Sequence, residues 1–140
     1  MEARGTATEH DVEVFNDSLE RCTRSPGFLD RFYELFLASS DDVAEKFRHP
    51  DFKRQQRALR VSLYLMMSAT EGKVEGDAHL QRIARLHSRS DRDIKPELYD
   101  LWLDCLVRAV KEFDPSFGEE TEKAWRRIMR PGIEFMKSKY

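Results

Sequence analysis

The sequence is poor in the residues that build disulfide frameworks and tight turns. Its 140 residues include only 2 Cys, 6 Gly and 5 Pro. Cys22 and Cys105 are too few for the disulfide framework of a small secreted domain, and no CxxC pair indicates a metal site. Scarce Gly and Pro favour long helices over turn-rich β-structure. We therefore expect a helical protein with two reduced cysteines in its core.

Neither an excess of one charge nor a long apolar run is present. The 24 Lys and Arg residues nearly balance the 26 Asp and Glu residues, which leaves a formal net charge of −2. This balance gives no electrostatic footprint for nucleic acid. The N-terminal segment MEARGTATEH also lacks the apolar stretch of a signal peptide or membrane anchor. We expect no nucleic-acid partner, no membrane association and a cytoplasmic location.

Apolar residues recur at helical spacing in about seven segments of unequal length. The predicted helices cover residues 11–22, 26–40, 40–47, 52–70, 77–88, 96–113 and 116 to the C-terminus. Residues 1–10 lack the pattern, so we expect them to be disordered and residues 11–140 to form one domain. Pro131 should kink or interrupt the last helix, because a proline inside a helix removes one backbone hydrogen bond.

Such unequal helices favour crossed packing around a central group over a symmetric four-helix bundle. The sequence contains no glycine-rich phosphate loop, no HExxH and no nucleophile elbow. Histidines remain as the candidate ligands of a central group. His10 falls in the N-terminal stretch and His49 precedes a proline, so neither is well placed inside a helix.

His87 is the best-placed histidine. It ends a predicted helix whose apolar face contains Leu80, Ile83 and Leu86, and a break follows. A histidine in this position can present one ring nitrogen to a metal while its other N–H bonds a backbone carbonyl near Ile83. On its own this signal is weak, since most helical histidines are surface or core residues.

Four segments carry a resemblance to a known family. From about residue 11 to 138, the chain resembles bacterial single-domain globins and the haem domains of flavohaemoglobins. The matching segments are FYELFLASSDDVAEKF for the second helix and its corner, DFKRQQRALRVSLYL for the distal helix, LQRIARLHSRSDRDIKPELYDLWLDCLV for the proximal helix and the next one, and AWRRIMRPGIEFM for the last helix. Their order and spacing make the match specific. The resemblance implies a globin fold with seven helices around a haem pocket.

The resemblance also implies a cofactor and the residues that hold it. The cofactor is haem b (iron protoporphyrin IX), with His87 as the proximal iron ligand. Phe47 would pack against the porphyrin, and Leu59 would supply the apolar side chain over the iron. We assign to the same pocket Leu63, Leu86, Tyr99 and Trp102. The propionates would lie near Arg54, Arg57 and Arg92, which the sequence does not rank.

Two polar residues are implied on the distal side of the haem. Tyr33 matches a tyrosine that points at the bound ligand, and Gln55 matches the polar residue of the distal helix. Dioxygen on ferrous haem carries partial negative charge, whereas CO is nearly neutral, so these two donors should favour dioxygen. Two alternatives stay open: Gln56 could take the place of Gln55, and Tyr33 could be an ordinary core tyrosine.

The implied function is reversible binding of dioxygen at a five-coordinate ferrous haem, with NO and CO as further ligands. Tyr99 matches a tyrosine behind the proximal histidine of flavohaemoglobins. No acid near Tyr140 matches the glutamate that accompanies it, so we do not expect peroxidase-like reactivity. The sequence also lacks a reductase domain, so nitric oxide dioxygenation would need a separate reductase.

Two other functions fit the same helices, and enzymatic activity stays open. One alternative is a haem-free globin-fold module that regulates or binds a partner. The other is an electron-transfer globin in which a second side chain makes the haem iron six-coordinate. The sequence does not decide between a monomer and a homodimer.

Overall fold

A computed structural model describes residues 7–47 and 52–140, apart from the side chains of Phe47 and Phe52. These two ranges contain seven α-helices and no strand, which confirms the predicted all-α class. The helices are α1 (Glu9–Thr23), α2 (Gly27–Ser39), α3 (Asp41–Phe47), α4 (Phe52–Thr70), α5 (Val74–His87), α6 (Glu97–Phe113) and α7 (Glu119–Ser138). Their lengths run from 7 residues in α3 to 20 in α7.

The start of α1 corrects the predicted boundary of the N-terminal stretch. The helix begins at Glu9 instead of Asp11, so Glu9 and His10 are helical and not disordered. A capping box explains the earlier start. The backbone N–H of Asp11 donates to the Thr8 hydroxyl at 3.1 Å, and the backbone N–H of Thr8 donates to the Asp11 carboxylate at 3.0 Å. Residues 1–6 lie outside the described part of the chain.

Helices α4 and α5 approach each other closely at Gly76. A Cβ atom on Gly76 would lie 2.2 Å from the backbone nitrogen of Ala69 and 2.5 Å from the carbonyl oxygen of Leu65. Glycine is needed here because no side chain fits between the two backbones. The prediction placed Gly76 in a loop and began the helix at Asp77, but α5 begins at Val74. Close packing offsets the roughly 1 kcal/mol that a helical glycine costs.

Pro131 lies inside α7 without ending it, and the helix continues to Ser138. A proline in a helix interior costs about 3 kcal/mol. Beyond it, Ile133 and Met136 are buried in the core. Burying two large apolar side chains contributes roughly 1.5–3 kcal/mol each, which outweighs the cost of the proline. The interruption that the sequence predicted is therefore not found.

The helices cross around an aromatic core. Helix α1 packs on α7, α2 packs on α6 and α3, and α4 packs on α5 and α7. Phe15 and Trp125 are fully buried, with ring centroids 4.6 Å apart in an edge-on contact. Cys22 and Cys105 are free and buried, as predicted. No described helix combines the length and apolar composition needed to cross a membrane.

Candidate functional site

A cavity of about 250 Å³ lies between α4 on one side and α5 and α6 on the other. Residues of α2 and α7 close it, and most of its wall is apolar. Its lining residues are Tyr33, Phe36, Gln55, Ala58, Leu59, Ser62, Met66, His79, Leu80, Ile83, His87, Arg92, Ile94, Leu98, Tyr99, Trp102 and Met136. A concave, mainly apolar pocket with few polar groups is the usual form of a cofactor site.

His87 lies on the proximal wall of this cavity, at the last residue of α5. Its Nδ1 atom and the hydroxyl oxygen of Tyr99 on α6 are 3.1 Å apart. No described residue forms a hydrogen bond with the other ring nitrogen, Nε2. Tyr99 therefore occupies the position that the sequence analysis gave to a backbone carbonyl near Ile83. It does so because α6 packs beside the end of α5 and brings a buried phenol to the ring.

Burial sets the protonation state of this pair. It lowers the pKa of His87 to about 4, and the nearby Arg92 guanidinium acts in the same direction. Burial also raises the pKa of Tyr99 well above its ordinary value. At neutral pH the imidazole is thus uncharged and the phenol protonated. A neutral imidazole with one nitrogen held by a polar partner is the form that ligates a metal.

The polar side chains of the distal wall include Tyr33 and Gln55, with Ser62 farther along α4. The Tyr33 hydroxyl donates to the backbone carbonyl of Gln55 across a long 3.4 Å contact. Burial raises the pKa of Tyr33 to about 12, so the phenol keeps its proton at neutral pH. The amide oxygen Oε1 of Gln55 is buried and has no hydrogen-bond partner among the described residues. A buried polar atom without a partner is costly, which suggests that this amide serves a ligand.

Gln56 does not compete with Gln55 for the distal place. Its side chain amide donates to the Asp30 carboxylate in an exposed contact. The neighbouring Gln55 lines the cavity instead, because successive residues of a helix point in directions about 100° apart. Of the two glutamines that the sequence left open, Gln55 is the one that lines the cavity.

The mouth of the cavity is marked by Ala58 on α4 and by Arg92 in the α5–α6 connection, which are both exposed and both line it. The backbone of this connection is held in place from α3, since the Lys46 ammonium donates to the Arg92 carbonyl at 3.1 Å. Of the three arginines near the predicted propionate edge, Arg92 reaches the cavity, whereas Arg54 and Arg57 do not.

These residues fit a flat apolar cofactor with an iron centre and acidic substituents. His87 provides a neutral nitrogen ligand, and the apolar wall suits a porphyrin ring. Arg92 places a cation at the mouth, where carboxylates of the cofactor would reach solvent. The orphaned amide oxygen of Gln55 lies on the wall across from His87. Donor set and cavity chemistry therefore agree with haem.

Comparison with known proteins decides the family. A protein-family model described as "Globin" matches residues 31–133, well over half of the chain.

The chain belongs to the globin family.

Two relatives of this globin are similar over much of their length. A crystal structure of a Pseudomonas aeruginosa PAO1 protein, described as structurally highly homologous to a human hemoglobin, superimposes with a TM-score of 0.88 and is 41% identical. The match covers 93% of this chain and 98% of that one. An "Uncharacterized globin-like protein" of Aquifex aeolicus is 33% identical over 96 residues, which span 68% of this chain and 66% of the relative. The globin fold predicted from sequence is thereby confirmed.

Most of the residues predicted for the haem pocket of this globin come together in the cavity. Tyr33, Gln55 and Leu59 lie on the distal side, and His87, Tyr99 and Trp102 on the proximal side. Two predicted residues do not line it. Leu63, which follows Ser62, is fully buried in the core, and the half-buried Leu86 beside His87 does not line the cavity. Phe47 ends α3, but its side chain lies outside the described part of the chain.

The sequence analysis missed a second histidine of the cavity. His79 lies two turns before His87 on α5, and its Nε2 atom is 3.0 Å from the Ser62 hydroxyl oxygen on α4. Burial and the neighbouring Arg82 lower its pKa, so it is neutral at pH 7. The four-residue spacing of His79, Ile83 and His87 was the signal that could have placed it on the same stripe.

Proposed function

We propose that this globin holds one haem b in the cavity, with His87 as the axial ligand, and binds dioxygen reversibly. The observation that carries the proposal is the His87–Tyr99 pair. Tyr99 engages Nδ1 at 3.1 Å, which leaves Nε2 for the iron. With Nε2 as ligand, Nδ1 keeps its proton and donates to the Tyr99 oxygen. This fixes the ring orientation before the cofactor binds.

The cofactor supplies a ferrous iron that binds diatomic gases. The protein supplies a mainly apolar pocket in which Tyr33 and Gln55 lie on the distal wall. The phenol donates a hydrogen bond, and the Gln55 amide can turn its NH₂ group toward a polar ligand. Each such bond is worth about 1–2 kcal/mol, so release of a polar ligand should slow roughly tenfold per donor. Dioxygen should therefore be retained longer than CO.

Arg92 is the propionate partner that we propose. Its exposed guanidinium lines the mouth, and a propionate carboxylate there would form a charge-assisted hydrogen bond with it. That carboxylate would also offset the effect of Arg92 on His87, since the cation now disfavours the protonated imidazole. Cofactor binding and the electrostatics of the proximal histidine are thus linked through one arginine.

The same pocket supports nitric oxide dioxygenation, in which NO, O₂ and one electron give nitrate. The observation in favour is the pair of distal donors, which would retain dioxygen until NO arrives. We propose that a separate donor protein supplies the electron. We include a cytoplasmic location in this proposal, since the reductive chemistry would draw on cellular electron donors.

The deciding experiment is a set of absorption spectra of the purified protein in the oxidised, reduced, oxygenated and CO-bound states. We expect a five-coordinate ferrous spectrum and a stable oxygenated one. His87→Ala should lose both, and added imidazole should restore ferrous ligand binding by entering the vacated space.

His79→Ala is the matched control, because His79 lies on the same helix and lines the same cavity. It should keep the five-coordinate spectrum. A six-coordinate ferrous spectrum without added ligand would favour the electron-transfer alternative. Failure to take up haem, even from added haemin, would favour the haem-free module.

A further inference from the structure

Charge is unevenly distributed along this nearly neutral chain. Residues 7–47 contain ten Asp and Glu but four Lys and Arg, whereas residues 52–92 contain four Asp and Glu but nine Lys and Arg. Helix α4 is the extreme case, with four cations (Lys53, Arg54, Arg57 and Arg60) and no acid. One part of the surface therefore has a positive potential that the net charge of −2 conceals.

Several cations elsewhere on the described surface form ion pairs with nearby acids. Arg31 pairs with Glu112 at 2.9 Å, and Lys137 pairs with Asp100 at 3.0 Å. In contrast, Lys53, Arg57 and Arg60 are exposed and form no ion pair with any described residue. Their charge is available to an external partner, and exposed unpaired cations steer acidic molecules over distances near the Debye length.

Two large apolar side chains lie among these cations. Val61 is 55% exposed and Tyr64 is 41% exposed, and both point outward from α4. We refer to Lys53, Arg57, Arg60, Val61 and Tyr64 as the α4 outer face. Exposed tyrosine and arginine around an aliphatic side chain are the composition of protein–protein interfaces, in which such residues contribute most of the binding energy.

The α4 outer face adjoins the mouth of the cavity. Ala58 lies on α4 between Arg57 and the lining residue Leu59, and it is both exposed and part of the cavity lining. A molecule that covers Val61 and Arg57 would therefore come close to the cavity edge. Electron transfer falls steeply with distance, so a donor docked here would be close enough to reduce a cofactor inside.

We propose that the α4 outer face docks an acidic electron-donor protein of the flavin or iron–sulfur class. The inference rests on the proposed haem function: the reduced donor loses one electron, and ferric haem iron in the cavity gains it. Positive charge on α4 attracts the donor, and Val61 and Tyr64 provide the apolar contact. This surface supplies the separate reductase with a binding site.

Two other occupants of the α4 outer face are less well supported. An anionic membrane needs an apolar face that can insert into lipid, but Leu59, Leu63, Met66 and Ala69 of α4 are buried in the core. A second copy could place its acidic residues 7–47 against α4, yet a pairing of two different faces does not close into a symmetric dimer. The experiment below distinguishes a membrane and a second copy from the donor protein.

The test uses the haem-loaded protein, with a reduced acidic flavodoxin as the probe donor and neutral reduced lumiflavin as a small reductant. The variant is Arg57→Glu/Arg60→Glu. At low salt, we expect reduction by flavodoxin to slow at least about tenfold and to lose its salt dependence. Reduction by lumiflavin and binding of CO should not change. Calorimetry with oxidised flavodoxin, on the protein with and without haem, should show a matching loss of affinity.

The control is Arg108→Glu/Lys111→Glu on α6, which has the same three-residue spacing and the same change in charge at exposed positions. Flavodoxin should reduce this control variant as fast as it reduces the wild type. Equal slowing in both double variants, or in neither, would overturn the proposal while intact CO binding leaves the haem function standing. Charge-dependent binding to phosphatidylglycerol vesicles or self-association, without an effect on flavodoxin, would overturn it in favour of those occupants. A protein without haem would overturn both inferences.

Discussion

Two clusters of buried polar residues in this globin differ in how completely their hydrogen bonds are formed. At the junction of α1, α6 and α7, the fully buried Asp114 carboxylate accepts hydrogen bonds from Arg21 Nε at 2.6 Å, Ser18 at 2.6 Å and the Ser116 backbone at 2.9 Å. The Trp125 indole donates to Ser18 at 2.9 Å. In the cavity, Tyr33 has a long 3.4 Å bond, and one amide oxygen of Gln55 has no partner among the described residues.

The difference indicates that the Asp114 cluster stabilises the fold, whereas we associate the cavity residues with ligand binding. Burial alone would raise the pKa of Asp114, but hydrogen bonds from Arg21, Ser18 and the Ser116 backbone outweigh it and hold the pKa below its ordinary value. The ionised carboxylate is thus fully compensated, and this cluster stabilises the fold. In the cavity, the buried amide oxygen of Gln55 has no partner among the described residues, and we infer that its hydrogen-bonding capacity serves a ligand. Substitutions in the two clusters should therefore act on different measurements.

The largest effect is expected for Asp114→Ala. The change leaves the Ser18 hydroxyl, the Arg21 guanidinium and the Ser116 backbone N–H without their acceptor, so the free energy of unfolding should fall by about 3 kcal/mol. Urea unfolding of the apoprotein measures it. Asp100→Ala, which removes the exposed partner of Lys137, should cost less than about 1 kcal/mol. If Asp114→Ala lowered the free energy of unfolding as little as Asp100→Ala, the Asp114 network would not be a stabilising one.

The next effect is expected for Tyr99→Phe. The change removes the oxygen that fixes His87, so haem loss to an excess of apomyoglobin should accelerate by about 10- to 100-fold. The iron–histidine stretching frequency in the Raman spectrum should also shift, which a purely structural role of the hydroxyl would not cause. An unchanged frequency with unchanged haem loss would contradict the assignment.

A smaller effect is expected for Tyr33→Phe. Loss of the phenol donor should raise the oxygen dissociation rate roughly tenfold, because one hydrogen bond to the bound ligand is lost. Laser photolysis and stopped-flow mixing measure it. The CO dissociation rate of the same variant is the control and should change much less, since CO is a poor acceptor. Equal changes for both gases would point to altered pocket shape instead.

The smallest effect is expected for Gln55→Leu. Removing a buried amide oxygen without a partner should raise the free energy of unfolding of the apoprotein by up to about 1 kcal/mol. The same change should speed oxygen dissociation, so stability and ligand retention would move in opposite directions. Gln56→Leu, at the half-buried neighbouring position outside the cavity, should alter neither. A loss of stability in Gln55→Leu would show that its amide is satisfied in the folded protein.

Much of the fold could be read from local patterns. The apolar stripes predicted all seven helices, because each buries one face and has few glycines or prolines in its interior. The predicted helix boundaries were wrong where they depend on contacts with other helices. Val74 starts α5 early because Gly76 packs against Ala69, and α7 passes through Pro131 because Ile133 and Met136 are buried beyond it. Neither contact is visible in the local sequence.

For the candidate site, too, the sequence predicted one part and tertiary packing decided the other. His87 stood out at the end of its helix, and the resemblance to globins implied Tyr33 and Gln55, but the contacts between side chains were not predicted. Tyr99 was expected behind His87 from the resemblance, while the hydrogen bond between them emerged from the packing of α6 against α5. His79 was passed over because its partner Ser62 lies on another helix.

The sequence by itself determined the all-helical class through its periodicity, and its resemblance to globins implied the order of segments and the residues around the cavity. Tertiary structure decided the rest: which nitrogen of His87 is held, that Gln55 faces the cavity while Gln56 faces Asp30, and that Leu63 is core. These outcomes depend on side-chain directions and on distances of a few ångströms between helices far apart in sequence. Such distances are set by packing.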